Sequence, residues 1–231
     1  MSQNTANTKK LTSLAMLTAV AYVVMLLSKS LPQVSGFLQM DLKDVVICIG
    51  GFIYGPLSAA VISIVVAVVE MFTYSDTGPI GCLMNVLATA SFCCTAAFVY
   101  QRKHTRKGAV VALAIATLVL TVVMVLWNYL ITPIYMKIPR EEVVSMLPTV
   151  FLPFNLVKGG LNMAITLFLY KPVVTALRKA GLAPESRTVK AQMAEPWEVG
   201  NIRKKNAGFL LFCFALLATF ATLMLVLMGI I

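Results

Sequence analysis

The chain has 231 residues, of which 59% are apolar, with a mean hydropathy of +0.88 and a formal net charge of +10. No soluble domain of this size buries so much apolar sequence, so composition excludes a water-soluble globular protein and predicts an all-α membrane protein. The positive charge reads as a topology signal, and the basic cluster Arg102–Lys107 as a solvated loop with no nucleic-acid partner.

Runs of about 20 apolar residues, rising about 1.5 Å each, cross a hydrocarbon core of about 30 Å. Such spans are predicted at residues 11–27, 57–72, 80–100, 109–130, 151–177 and 209–231. A further apolar segment, 45–54, is too short to cross alone and stops at the helix-breaking Tyr54-Gly55-Pro56 turn. It is either a half-depth helix packed in protein or a short tilted one. The N-terminal run lacks an A-x-A-like cleavage site and reads as the first span rather than a signal peptide.

With a cytoplasmic N-terminus, only Lys29, Lys43, Lys137, Arg140 and Lys158 among the basic residues fall outside or in the outer membrane half. That bias obeys the positive-inside rule and predicts an external C-terminus, the expected location being the plasma membrane.

Several chemistries lack their residues. The five cysteines lie within apolar spans without a C-x-x-C, and the single histidine, His104, is in the basic loop, so no metal site is predicted. Neither a phosphate-cradling G-x-x-x-x-G-K-[ST] loop nor a Ser-His-acid set or H-E-x-x-H is present, so no catalytic residue is assigned. Glu70 reads as the only interior carboxylate, too few for a proton pump.

Polar residues converge near the outer face. Lys158 sits in the apolar stretch 151–170, which holds no acid to neutralise it, and Asn155 and Asn162 share its helix face. A lysine there either snorkels to the headgroups or faces a partner, cavity or substrate. The loop 28–44 mixes polar groups with Phe37, Leu38 and Met40, which suits a cover over a flat ligand as well as an ordinary exposed loop. Asn128 enters from the same side, beside Trp127 and Tyr129, aromatics that an interfacial belt also explains. Two amides and an ammonium in an apolar, aromatic surround make a small-molecule pocket suited to a neutral heterocycle.

Four blocks carry a resemblance: F-L-Q-M-D-L-K-D-V at 37–45, G-G-F-I-Y-G-P at 50–56, N-Y-L-I-T-P-I-Y-M at 128–136 and L-P-F-N-L-V-K-G at 152–159. In order and spacing they resemble the riboflavin-binding S-component of energy-coupling factor (ECF) transporters, over roughly residues 10–180. The resemblance implies a six-helix substrate-binding bundle with no enzymatic activity and no cofactor, riboflavin being the cargo. It implies as partners a transmembrane scaffold subunit and two cytoplasmic ATPases. Carried over by motif, Gln39, Asn128, Asn155 and Lys158 would bind riboflavin near the outer surface. Ala15 and Ala19, an A-x-x-x-A pair in the first span, would dock the scaffold, because small residues let helices approach closely in lipid. The same fold also serves other vitamins or heterocyclic solutes, and a membrane structural or assembly protein would use the same polar residues to bridge helices.

The departure is C-terminal. The expected organisation is a six-helix domain at 1–180, a cytoplasmic linker at 181–207 containing Pro184, Pro196 and Gly200, and an additional transmembrane helix at 208–231. Lipid gives that helix no hydrophobic drive to pack on the bundle, so a chain cut after Lys190 is expected to keep its riboflavin affinity.

Overall fold

A computed structural model describes residues 3–74, 77–102, 104–182 and 199–230. The helices, in chain order, are α1 (Gln3–Ser28), α2 (Lys43–Tyr54), α3 (Pro56–Thr73), α4 (Gly78–Arg102), α5 (Arg106–Met136), α6 (Arg140–Met146), α7 (Leu152–Lys179) and α8 (Val199–Leu227). A single π-helical turn, Leu147–Phe151, joins α6 to α7. Pro148 lies within this turn and Pro153 just after it, and neither can donate a backbone hydrogen bond, which accounts for the wider register. Among the described residues, six helical stretches are long and apolar enough to cross a membrane, and α2 is not one of them.

The short α2 resolves the alternative left open by the sequence. Nine of its 12 residues are buried, including both charged ones, Lys43 and Asp44, so it is a half-length helix enclosed by protein. It ends where Gly55 adopts φ +98° and donates to the Gly51 carbonyl at 2.8 Å, and Pro56 then opens α3 at a position that needs no N–H.

Small side chains set the packing of the bundle. Ala88, Ala96, Ala97, Ala109, Ala112 and Ala116 are all buried along α4 and α5, so these backbones approach closely. Leu118, Val122 and Leu126 point away from the core and are exposed, as lipid-facing residues are. The five cysteines are free thiols, with Cys48, Cys93 and Cys213 buried as packing residues.

Two findings depart from the sequence reading. The first is α6, a seven-residue helix too short to register as a span. The second is α8, which starts at Val199 and lies against α7, with Cys213 buried in the main core and Met224 in a second cluster with Phe154 and Val157. Lipid supplies no hydrophobic drive, and only 11% of this span is buried, so the helix stays largely lipid-exposed and touches the bundle through a few closely fitted side chains. Within the expected 181–207 linker, residues 183–198 lie outside the described residues, as do Lys103, Arg187 and Lys190 of the inner-side charge set.

Candidate ligand-binding site

Because successive helices alternate in direction, the end of α1, the 29–42 loop, the end of α3, the start of α4, the end of α5 and the start of α7 meet at one end of the bundle. There they enclose a cavity of about 490 Å³. All four residues expected to bind ligand line it: Gln39 from the loop, Asn128 from α5, and Asn155 and Lys158 from α7. Apolar walls come from Phe37, Leu38, Met84, Met124 and Phe154.

The loop over the cavity is built around a tight turn. Val34 and Leu38 exchange backbone hydrogen bonds of 2.7 and 3.0 Å, with Ser35 and Gly36 in the left-handed region between them. Phe37 then meets the Phe151 ring edge-on, 5.9 Å between centroids. Gln39 Nε2 donates to the Lys29 carbonyl at 3.2 Å, and the Leu42 amide donates to Ser28 Oγ at 3.1 Å. These contacts fasten both ends of the loop to the end of α1.

The three predicted polar groups on α5 and α7 are partly satisfied by their own helices, which fixes their orientation. Asn128 Nδ2 donates to the Met124 carbonyl at 2.7 Å, and its Oδ1 accepts from Thr132 at 2.9 Å. Asn155 Nδ2 donates to the Phe151 carbonyl at 2.7 Å, and its Oδ1 has no hydrogen bond among the described residues. Lys158 is 8% exposed and makes no hydrogen bond or ion pair among the described residues. It lines the cavity. Asn162, expected on the same face, is fully buried below, donating weakly to the Asp41 carbonyl at 3.3 Å and to Asp44 at 3.4 Å.

The structure also corrects the count of interior carboxylates. Asp41 and Asp44 are buried along with Glu70. Glu70 accepts from Lys29 at 2.8 Å and from Lys43 at 3.3 Å, and Lys43 also pairs with Asp41. Asp44 accepts from Thr89 at 2.8 Å. Burial alone would raise the Asp41 pKa, but Lys43, Lys158 and Lys29 together outweigh it and hold this loop carboxyl below its ordinary value. Three lysines against three carboxylates leave the cavity region formally neutral, a setting for an uncharged ligand with polar edges.

Ala15 and Ala19 lie elsewhere. Both are exposed on α1, on the side away from buried Ser13, Leu17 and Ala21. They have no part in the cavity.

The sequence profile of the family described as "ECF transporter, substrate-specific component" matches residues 9–174. The chain belongs to this family. As an S component it is a binding subunit of a transporter rather than an enzyme. It is 29% identical over 182 residues to the riboflavin transporter RibU of Staphylococcus aureus, covering 76% of this chain and 96% of that one. It is 32% identical over 160 residues to the riboflavin transporter FmnP of Bacillus subtilis, covering 65% and 84% respectively. A solved S component of a bacterial ECF transporter superposes with a TM-score of 0.64 at 29% identity, over 74% of this S component and 98% of that chain. The family match ends before α8 begins.

Proposed function

We propose that this S component binds riboflavin in the 490 Å³ cavity and delivers it to the cytoplasm within an ATP-driven ECF complex. The observation that carries the reading is the convergence of Gln39, Asn128, Asn155 and Lys158, from three separate segments, on one aromatic-covered cavity. Its volume lies within the range of about 300–1,000 Å³ typical of small-ligand pockets. Riboflavin is a planar heterocycle with carbonyls, ring nitrogens and a hydroxylated chain. Lys158 can donate to its acceptors, Asn155 Oδ1 can accept, and the asparagines and Gln39 can serve both kinds of group. Its lack of charge suits the formal neutrality of the cavity region. Two similar proteins carry riboflavin transport in their names. The flavin is cargo, with no cofactor role assigned.

A transmembrane scaffold subunit and two cytoplasmic ATPase subunits are the assigned partners, with the scaffold seated on α1 at Ala15 and Ala19. Exposure of both alanines supports that role. The cavity faces the outside of the plasma membrane, the N-terminus is cytoplasmic and the C-terminus external. Lys9, Lys10, Arg102, Arg106, Arg178 and Lys179, all at the opposite end from the cavity, support this orientation. Residues 1–180 are assigned as the substrate-binding domain, 181–207 as a cytoplasmic linker region into which α8 extends, and 208–231 as the additional span.

Protein purified from flavin-replete cells tests the reading. A yellow preparation that releases riboflavin on denaturation is expected. A colourless one that also fails to take up added riboflavin rejects it.

A further inference from the structure

The helix beyond the family match is keyed to the part of α7 that carries the ligand-binding residues. Gly160 lies two positions after Lys158, and its surface is filled by the Phe220 ring of α8. A Cβ at Gly160 would lie 2.3 Å from two ring carbons, so no larger residue fits there with the ring in place. One helical turn on, Met224 is 4% exposed against Phe154 and Val157, which alternate along α7 with Asn155 and Lys158. The same cluster contains Val34 and Met40 of the covering loop, and Met40 directly follows Gln39.

From this arrangement we propose that α8 is a positioning element of the binding site. Phe220 and Met224 press the first turns of α7 and the 34–42 loop against the cavity. The two helices have no hydrophobic drive to associate in lipid, so the contact depends on the fit of ring to glycine. Loss of that fit frees α7 and the loop together, because one apolar cluster holds both. Neither residue is assigned a contact with ligand. Their effect passes through Asn155, Lys158 and Gln39. As a statement about riboflavin retention, the proposal rests on the function proposed above.

The test uses the full-length protein in detergent or nanodiscs, with riboflavin release followed by recovery of flavin fluorescence. Phe220→Ala and Met224→Ala are each expected to release riboflavin about tenfold faster with little change in association rate, since most interface effects appear in dissociation. Leu211→Ala, 71% exposed on the far side of the same helix, is expected to match wild type. Gly160→Ala is expected to mimic Phe220→Ala, and adding Phe220→Ala to it is expected to cause no further loss, because the clashing ring is gone. Phe220→Leu, which keeps apolar volume, is expected to fall between and replaces the alanine variant if that one does not stay monodisperse. Hydrogen exchange of the 34–42 amides without ligand supplies a second readout, expected to rise in Phe220→Ala and not in Leu211→Ala. Wild-type release rates and unchanged loop exchange in these variants overturn the proposal. If wild type binds no riboflavin while loop exchange still rises, the riboflavin reading fails and the positioning role of α8 stands.

Discussion

Glu70 Oε1 lies 2.8 Å from Lys29 Nζ, and the pair joins the end of α3 to the end of α1 at the rim of the cavity. The second carboxylate oxygen of Glu70 reaches Lys43, a fully buried lysine that also holds Asp41. One glutamate thus links both ends of the covering loop. A buried ion pair is costly to form, and removing one partner is costlier still because it strands the other charge.

Glu70→Gln should therefore destabilise the protein. Lys43 keeps Asp41 as a partner, so the expected loss is about 2–3 kcal/mol rather than the upper end for a broken buried pair. Thermal unfolding in detergent checks this, with Glu141→Gln, an exposed acid on α6, as the comparison. Equal midpoints for the two variants would mean that the Glu70 network does not hold the loop.

Lys158→Ala and Asn155→Ala should weaken riboflavin binding while leaving the fold intact. Losing a hydrogen bond to a buried polar ligand group costs about 1–3 kcal/mol, or about tenfold to a hundredfold in affinity. Both side chains line the cavity, and neither Asn155 Oδ1 nor Lys158 Nζ has a hydrogen bond among the described residues, so their loss removes no such bond from the fold, although Lys158→Ala also takes a positive charge from beside Asp41. Wild-type affinity in both folded variants would reject their assignment as ligand contacts.

Ala15→Trp and Ala19→Trp should separate binding from transport. Both positions are exposed and remote from the cavity, so riboflavin titration of the purified variants should match wild type. Uptake by cells should be lost, because an indole blocks close helix approach to the scaffold. Normal uptake by both variants would sink the docking face.

Topology is checked by cysteine labelling from outside intact cells, in a background lacking the native cysteines. A cysteine at Ser35, in the covering loop, should label, and one at Lys10 should not. The reverse pattern would invert the assigned orientation.

Much of this arrangement was legible in the sequence. All the predicted apolar spans became helices, because a run of about 20 apolar residues has few other outcomes in a bilayer. The half-length α2 was legible from the Gly55-Pro56 break. Asn128, Asn155 and Lys158 line one cavity, since an amide or ammonium in an apolar span needs somewhere polar to face, while Gln39, a loop residue that lines it too, was legible only through the family resemblance. The charge network was not legible. Asp41, Lys43 and Asp44 read as part of an outer loop, either a ligand cover or an ordinary exposed one, and hydropathy alone does not distinguish a loop in water from one folded into the bundle. What marks them as buried is their partners, Glu70 on α3 and Thr89 on α4, and only the fold brings those near. The Gly160–Phe220 fit left no sequence signal either, because it pairs one glycine with one ring on helices separated by a polar linker.

The central claim is that the cavity is a riboflavin site. Its most direct test is equilibrium titration of riboflavin into purified, flavin-free protein, following quenching of flavin fluorescence. The account predicts saturable quenching at one flavin per chain, with the midpoint shifted at least about tenfold by Lys158→Ala. Absence of saturable quenching in folded wild type, or a titration that Lys158→Ala, Asn155→Ala and Asn128→Ala all leave unchanged, would contradict it.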